Sequence, residues 1–439
     1  MSTKKGKIIR IIVLLVVIVA IVAGWMLWKT FDLSRSDAAD DTVKLSEFKT
    51  DDTAAIKRGE YIMRLGDCSA CHTEGHGEMA GGYDIETPFG SLYSSNITPD
   101  PETGIGNMTE RDFFNAVRQG IGSHGFLYPA MPYTAYVKFT DQDMHDLWAY
   151  FSTVKPVKND IEETKDMPFP FNVRLSLAGW DMLFFDNTGF TEDKAKGDEY
   201  NRGKYLVDGG GHCSACHNPR NFIGAEIKSK YLQGGNLGTW YAPDLTPNPH
   251  NGISEMSVDG IAEYLKTGSN GIAVASGPMA EAVQHSTQYF TDSDLKAIGV
   301  YLKALPASEG GKTYPKLDVT KRAGLDYEVN CSACHGLEGE GITGMVPAFA
   351  KNKTIAAEDP TNLIHAMLKG TRAPFTHVRT TAAGMPSFAW KMNDKEIADV
   401  LNYVRNSWGN TAKEITPDQV AEMRKTVGAR DKMATPLQK

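Results

Sequence analysis

The chain has 439 residues, 41% hydrophobic and 23% charged, with a formal net charge of −8. This composition excludes a disordered or collagen-like chain, and at about 150 residues per folded unit the length allows roughly three units. The acidic balance supplies no broad basic surface for phosphates, so no nucleic-acid partner is expected. A lone bilayer-length apolar segment excludes a polytopic transporter.

That segment comes first in the chain. From Ile11 to Trp28 there is no charged or strongly polar side chain, and all four charges before it (Lys4, Lys5, Lys7 and Arg10) are positive. A run of this length reads as a transmembrane helix with its amino terminus in the cytoplasm. Trp25 and Trp28 stand where an interfacial aromatic belt belongs. A cleaved signal peptide is the competing reading, with Ser36-Asp37-Ala38 as its cleavage site, well beyond the apolar run. Both readings export the rest of the chain. Residues 29–52 then form a polar, acidic tether.

All six cysteines lie in three identical pentapeptides, Cys-Ser-Ala-Cys-His, at 68–72, 213–217 and 331–335. A lone C-x-x-C can be a redox dithiol or half a zinc site. C-x-x-C-H is the attachment site of c-type haem. The two thiols add to the haem vinyl groups, and the adjacent histidine reaches the iron from the same turn. Three copies that use every cysteine predict three covalently bound haem c groups, attached through Cys68 and Cys71, Cys213 and Cys216, and Cys331 and Cys334. The proximal iron ligands are then His72, His217 and His335.

The surroundings of the motifs repeat as well. Arg58-Gly59-Glu60-Tyr61 and Arg202-Gly203-Lys204-Tyr205 precede the first two, with the looser Arg322-Ala323-Gly324-Leu325-Asp326-Tyr327 before the third. Downstream, Thr140, Thr291 and Asn393 each read as the N-cap of a helix, with an acid three residues on and then apolar residues ending in Tyr150-Phe151, Tyr301-Leu302 and Tyr403-Val404. Asn96-Ile97-Thr98-Pro99-Asp100-Pro101 matches Asp244-Leu245-Thr246-Pro247-Asn248-Pro249, and the third repeat lacks this loop. The order is two sister domains and one cousin.

An amino-terminal helix crossing a carboxy-terminal helix beside one covalent haem resembles class I cytochrome c. In that fold a methionine some tens of residues after the histidine is the sixth ligand and suits electron transfer. Met131, Met279 and Met385 stand 59, 62 and 50 residues after their histidines, each on a loop marked by proline or glycine. His285 is an alternative to Met279, and Met392 a rival to Met385. The eight remaining histidines, at 76, 124, 145, 212, 250, 285, 365 and 377, receive no assigned role. The fold class expected is mostly α, an N-terminal transmembrane helix followed by three class I cytochrome c-like domains. Its parts are an anchor at 1–28, a tether at 29–52, domains at 53–157, 196–308 and 315–410, an apolar linker at 158–195 and a polar tail at 411–439.

Longer stretches carry a more specific resemblance: Gly81-Gly82-Tyr83-Asp84-Ile85-Glu86-Thr87-Pro88-Phe89-Gly90, Ser95-Asn96-Ile97-Thr98-Pro99-Asp100 and Leu127-Tyr128-Pro129-Ala130-Met131-Pro132-Tyr133. They resemble the three-haem cytochrome c subunits of periplasmic alcohol, gluconate, fructose and aldehyde dehydrogenases. The resemblance implies electron flow from a large catalytic subunit (a quinoprotein, flavoprotein or molybdoprotein) through the haems to ubiquinone in the membrane. The apolar run at 11–28 predicts an inner-membrane, single-pass protein with its haem domains on the periplasmic side, a departure from that family, whose members usually begin with a cleaved signal and attach to the membrane elsewhere. No substrate chemistry of its own is expected, since a Rossmann fingerprint, a P-loop and a metalloprotease helix are all missing from the sequence. A stand-alone carrier between a quinol-oxidising complex and a terminal oxidase or reductase is the alternative function. A multihaem peroxidase, which needs an open iron, is a further rival. The linker stretch from Pro168-Phe169-Pro170-Phe171 to Phe185 reads equally as packing between domains and as a docking surface.

Overall fold

Helix starts follow the caps. Thr140, Thr291 and Asn393 each accept a hydrogen bond from the backbone three residues on, opening helices Asp141–Phe151, Asp292–Lys303 and Asp394–Arg405. The protein, a computed structural model, is described over residues 4–350 and 352–433, with side chains over 10–25, 27–28, 30–350 and 352–428. It is mostly helical, with short two-stranded antiparallel hairpins. The chain divides into two compact units, Met1–Met63 with Cys71–Thr191, and Arg64–Ala70 with Glu192–Lys439.

One crossing recurs before each motif. An ideal Cβ on Gly59, in helix Thr53–Leu65, would lie 1.9 Å from the Asp146 carbonyl oxygen and 2.7 Å from Cβ of Tyr150. On Gly203, in helix Asp198–Tyr205, it would lie 2.0 Å from the Ala297 oxygen and 2.8 Å from Cβ of Tyr301. Backbone meets backbone there, and only glycine permits it. The crossing of helix Lys321–Asn330 over Asp394–Arg405 is wider, with the Gly324 Cβ position 3.3 Å from the Tyr403 ring. Arg58 clamps the first crossing through Asp146 (2.7 and 2.8 Å) and Arg202 the second through Asp294 (2.8 and 2.7 Å). Arg322 pairs along its own helix with Asp326 instead.

The expected transmembrane helix is corrected. Residues Lys4–Thr30 are helical, but among the described residues no helix is long and apolar enough to cross a membrane. The single-pass inner-membrane location rested on that helix and is withdrawn with it. The helix end is docked in the first unit, where Asn187 donates to the Thr30 carbonyl (3.1 Å) and Phe31 packs on Phe126.

Two segments read as loose polar chain are packed. In 29–52, Leu45 is fully buried, its N–H bonding the Met108 carbonyl, and Arg35 reaches the carbonyls of Asn187 and Val137. In 411–439, helix Pro417–Met433 lies on the third motif region, with Ile415 and Val420 fully buried against Ile364, Leu368 and Leu401. The signal was present as a single stripe, Val420, Met423 and Val427, with helical spacing. The 158–195 segment folds onto the first unit through Met167, Leu177 and Phe185, while Phe169, Leu175 and Leu183 remain exposed.

Candidate haem-binding sites

Each motif forms one short helical turn, Cys68–His72, Ser214–His217 and Ser332–His335, which brings both cysteines and the histidine of a motif together. His72 Nδ1–H donates to the Ser95 carbonyl at 2.7 Å, and His217 Nδ1–H to the Pro243 carbonyl at 2.6 Å. His335 makes no hydrogen bond of normal length through Nδ1; the Pro347 carbonyl is its nearby acceptor, and its ring stacks on Phe349 with centroids 4.1 Å apart. Burial lowers the pKa of all three imidazoles, and the facing carbonyl opposes that shift. A neutral imidazole with its proton fixed on Nδ1 keeps the Nε2 lone pair for a metal.

The carbonyls of Ser95, Pro243 and Pro347 are the functional groups that sequence reading missed. Their signal was the matched pair of loops, because Ser95 and Pro243 immediately precede Asn96 and Asp244. Those loops are buried knots. Asn96 and Thr98 tie to the Val157 carbonyl, and Asn248 ties to Ser308, just past the end of each carboxy-terminal helix. Each knot therefore fixes the strand end that presents a carbonyl to its histidine.

The surroundings of Cys213, Cys216 and Cys331 disfavour the thiolate. Burial pushes the Cys213 thiol up to about 12 and Cys331 to about 11, and raises Cys216 as well. Among the described residues no group of three or more His, Cys, Asp or Glu could hold a metal ion, so the C-x-x-C pairs lack the partners of a zinc site. Paired cysteines on the same turn as an imidazole whose Nδ1 carries the proton fit a covalently held haem.

The methionines stand on three different elements. Met131, on the loop before Tyr133, packs with Tyr133, Val137 and Phe185. Met279 lies in the first turn of helix Pro278–His285 and packs with Ala275, Ala280 and Val283. Met385 is on strand Gly384–Met385, paired with Thr371–Arg372, and packs on the core around Ile364 and Met392. His285 lies at the far end of the Met279 helix beside Gln284, and Met392 is buried within the core itself. Other histidines have neighbours of their own: His145 bonds Glu110 (2.8 Å), His377 packs on Tyr289, and burial holds His212 neutral with a pKa of about 4.

Residues 325–408 match the family described as cytochrome c, and residues 54–151 the family described as cytochrome C oxidase, cbb3-type, subunit III. The chain is 39% identical over 401 residues to the cytochrome c subunit of the quinone alcohol dehydrogenase of Gluconobacter oxydans, covering 86% of this chain and 84% of that one. The chain belongs to the family of dehydrogenase cytochrome c subunits. It is also 39% identical to the fructose dehydrogenase cytochrome subunit of Gluconobacter japonicus (84% of this chain, 82% of that one) and to the gluconate 2-dehydrogenase cytochrome c subunit of Pantoea cypripedii (85% and 90%). Dehydrogenase cytochrome c subunits transfer electrons, and their cytochrome c domains carry covalently bound haem c.

Proposed function

We propose that this subunit holds three haem c groups in three cytochrome c domains and relays electrons from the catalytic subunit of a dehydrogenase to ubiquinone. Haem supplies reversible one-electron chemistry at its iron. The chain's own residues do the rest. Cys68 and Cys71, Cys213 and Cys216, and Cys331 and Cys334 would tether the three groups. His72, His217 and His335 would bind on the proximal side, held in one tautomer by the carbonyls they face. Met131, Met279 and Met385 would be the distal ligands, which favour the reduced iron and so suit electron transfer. The observation that carries this reading is the pair of fixed imidazoles, His72 on Ser95 and His217 on Pro243, inside domains that repeat one glycine-mediated crossing.

A dehydrogenase catalytic subunit as partner is supported by relatives named as cytochrome subunits of alcohol (quinone), fructose and gluconate dehydrogenases; in this reading it is a large quinoprotein, flavoprotein or molybdoprotein. The test is purification of the native protein, a haem count per chain, and identification of what accompanies it. A co-purifying large subunit whose substrate reduces three haems, reoxidised by ubiquinone, is the expected result. A three-haem chain without a partner, still active with quinol or a soluble cytochrome, would overturn the dehydrogenase role.

A further inference from the structure

We infer that helix Thr361–Lys369, which belongs to the third motif region, is a positioning element for the second haem site. The inference rests on the three-haem reading above. Strand Tyr241–Asp244 carries the Pro243 carbonyl that receives the His217 proton-bearing nitrogen. Two residues earlier, one side-chain amide takes both backbone groups of Tyr241. The Tyr241 N–H donates to Asn362 Oδ1 at 2.8 Å, and Asn362 Nδ2 donates to the Tyr241 carbonyl at 2.8 Å. An amide that satisfies both a donor and an acceptor of one residue fixes that strand end in position and in rotation.

One helical turn on, His365 stacks on Trp240, with ring centroids 4.1 Å apart and planes inclined by 32°. The same indole lies against Gly277, where a Cβ would stand 2.5 Å from the ring. Gly277, at φ +54°, leads directly into Pro278-Met279. Asn362 and His365 thus brace the proximal strand and the distal loop of the same site. The far end of the helix grips the Met385 loop: the Met367 carbonyl accepts from Phe388 N–H (2.8 Å) and the Leu368 carbonyl from Ser387 Oγ (2.7 Å). One helix therefore contacts elements that flank two ligand sets.

A hydrogen bond from Nδ1–H to a carbonyl raises the electron donation of an imidazole and favours the oxidised iron it binds. Releasing strand Tyr241–Asp244 weakens that bond, so the potential of the second haem rises. Asn362 acts through Pro243 and His217 and is a positioning residue.

The test uses the full-length, haem-loaded protein and a spectroelectrochemical titration. Each midpoint is assigned by Met131→His, Met279→His and Met385→His, each of which moves one haem. Asn362→Ala is expected to raise the second midpoint alone, by up to about tenfold in its reduction equilibrium (about 59 mV for one electron). Lys353→Gln is the control. It removes the ion pair with Glu255 (2.7 Å), another contact between the same two regions, and is expected to leave all three midpoints unchanged. An unmoved second midpoint, a common shift of all three, or an equal shift in Lys353→Gln would overturn the inference. If Asn362→Ala does not accumulate with its haems, His365→Leu is read in its place, since it removes the stack and leaves both hydrogen bonds. An unchanged second haem in that variant overturns the distal half of the brace. A wild-type chain with fewer than three haems would instead refute the reading on which the inference rests.

Discussion

Replacing the crossing glycines by alanine probes the fold at its narrowest points. The added Cβ of Gly59→Ala would sit 1.9 Å from the Asp146 oxygen, and that of Gly203→Ala 2.0 Å from the Ala297 oxygen. A carbon approaches a carbonyl oxygen to about 3.3 Å at best, so the helices must part by more than about 1 Å at a backbone contact that has no rotamer to yield. Overpacking of this kind costs about 1–3 kcal/mol or more, and alanine returns only about 0.5–1 kcal/mol of helix propensity. The displacement also pulls on Arg58–Asp146 and Arg202–Asp294. Gly324→Ala meets only the edge of the Tyr403 ring at 3.3 Å. It is expected to be neutral or to stabilise by about 0.5 kcal/mol. Urea unfolding of the three haem-loaded variants, followed by far-ultraviolet circular dichroism, gives the comparison. Equal losses at all three positions, or no loss at Gly59 and Gly203, would refute the argument from backbone contact.

Asp181 is fully buried, accepts from the Tyr133 hydroxyl (2.7 Å), and burial raises its pKa from 3.8 to about 6. The folded protein therefore keeps a proton that the unfolded chain has lost, and this contribution is present below about pH 4 and is lost as pH rises to about 6, amounting to about 3 kcal/mol. The stability of Asp181→Asn relative to wild type should improve by about that amount between pH 4 and pH 7 in urea titrations; a pH-independent difference would sink the assignment. Buried Arg405 donates to the Ile355, Lys413 and Ala357 carbonyls. Arg405→Leu leaves these acceptors unpaired and should destabilise the third motif region by about 3 kcal/mol, detectable as faster amide exchange in helix Asp394–Arg405 with helix Asp141–Phe151 unaffected. Ending the chain after Asn410 uncovers the core that Ile415 and Val420 bury, at about 1.5–3 kcal/mol per side chain; proteolysis that begins no earlier than in the full chain would contradict that packing. Met131→Ala should lower the potential of one haem, and a redox titration with all midpoints unchanged would remove Met131 as a ligand.

Sequence by itself determined the three C-x-x-C-H turns and the caps at Thr140, Thr291 and Asn393. These depend on short-range chemistry, in which a residue's type and its spacing to near neighbours settle its role. It also marked the paired loops at Asn96 and Asp244 without disclosing their purpose. Tertiary structure alone decided which carbonyls hold the histidines, since Ser95 and Pro243 lie 23 and 26 residues away and act through backbone atoms that carry no residue identity. It also decided where 29–52 and 411–439 belong. Leu45 and Ile415 are apolar residues in polar sequence, and their burial depends on a complementary hollow in a distant part of the chain. Asn362 on Tyr241 is a further case, a polar residue whose partner is a backbone 121 residues away. Local pattern fixes what an element is; long-range packing fixes what it touches.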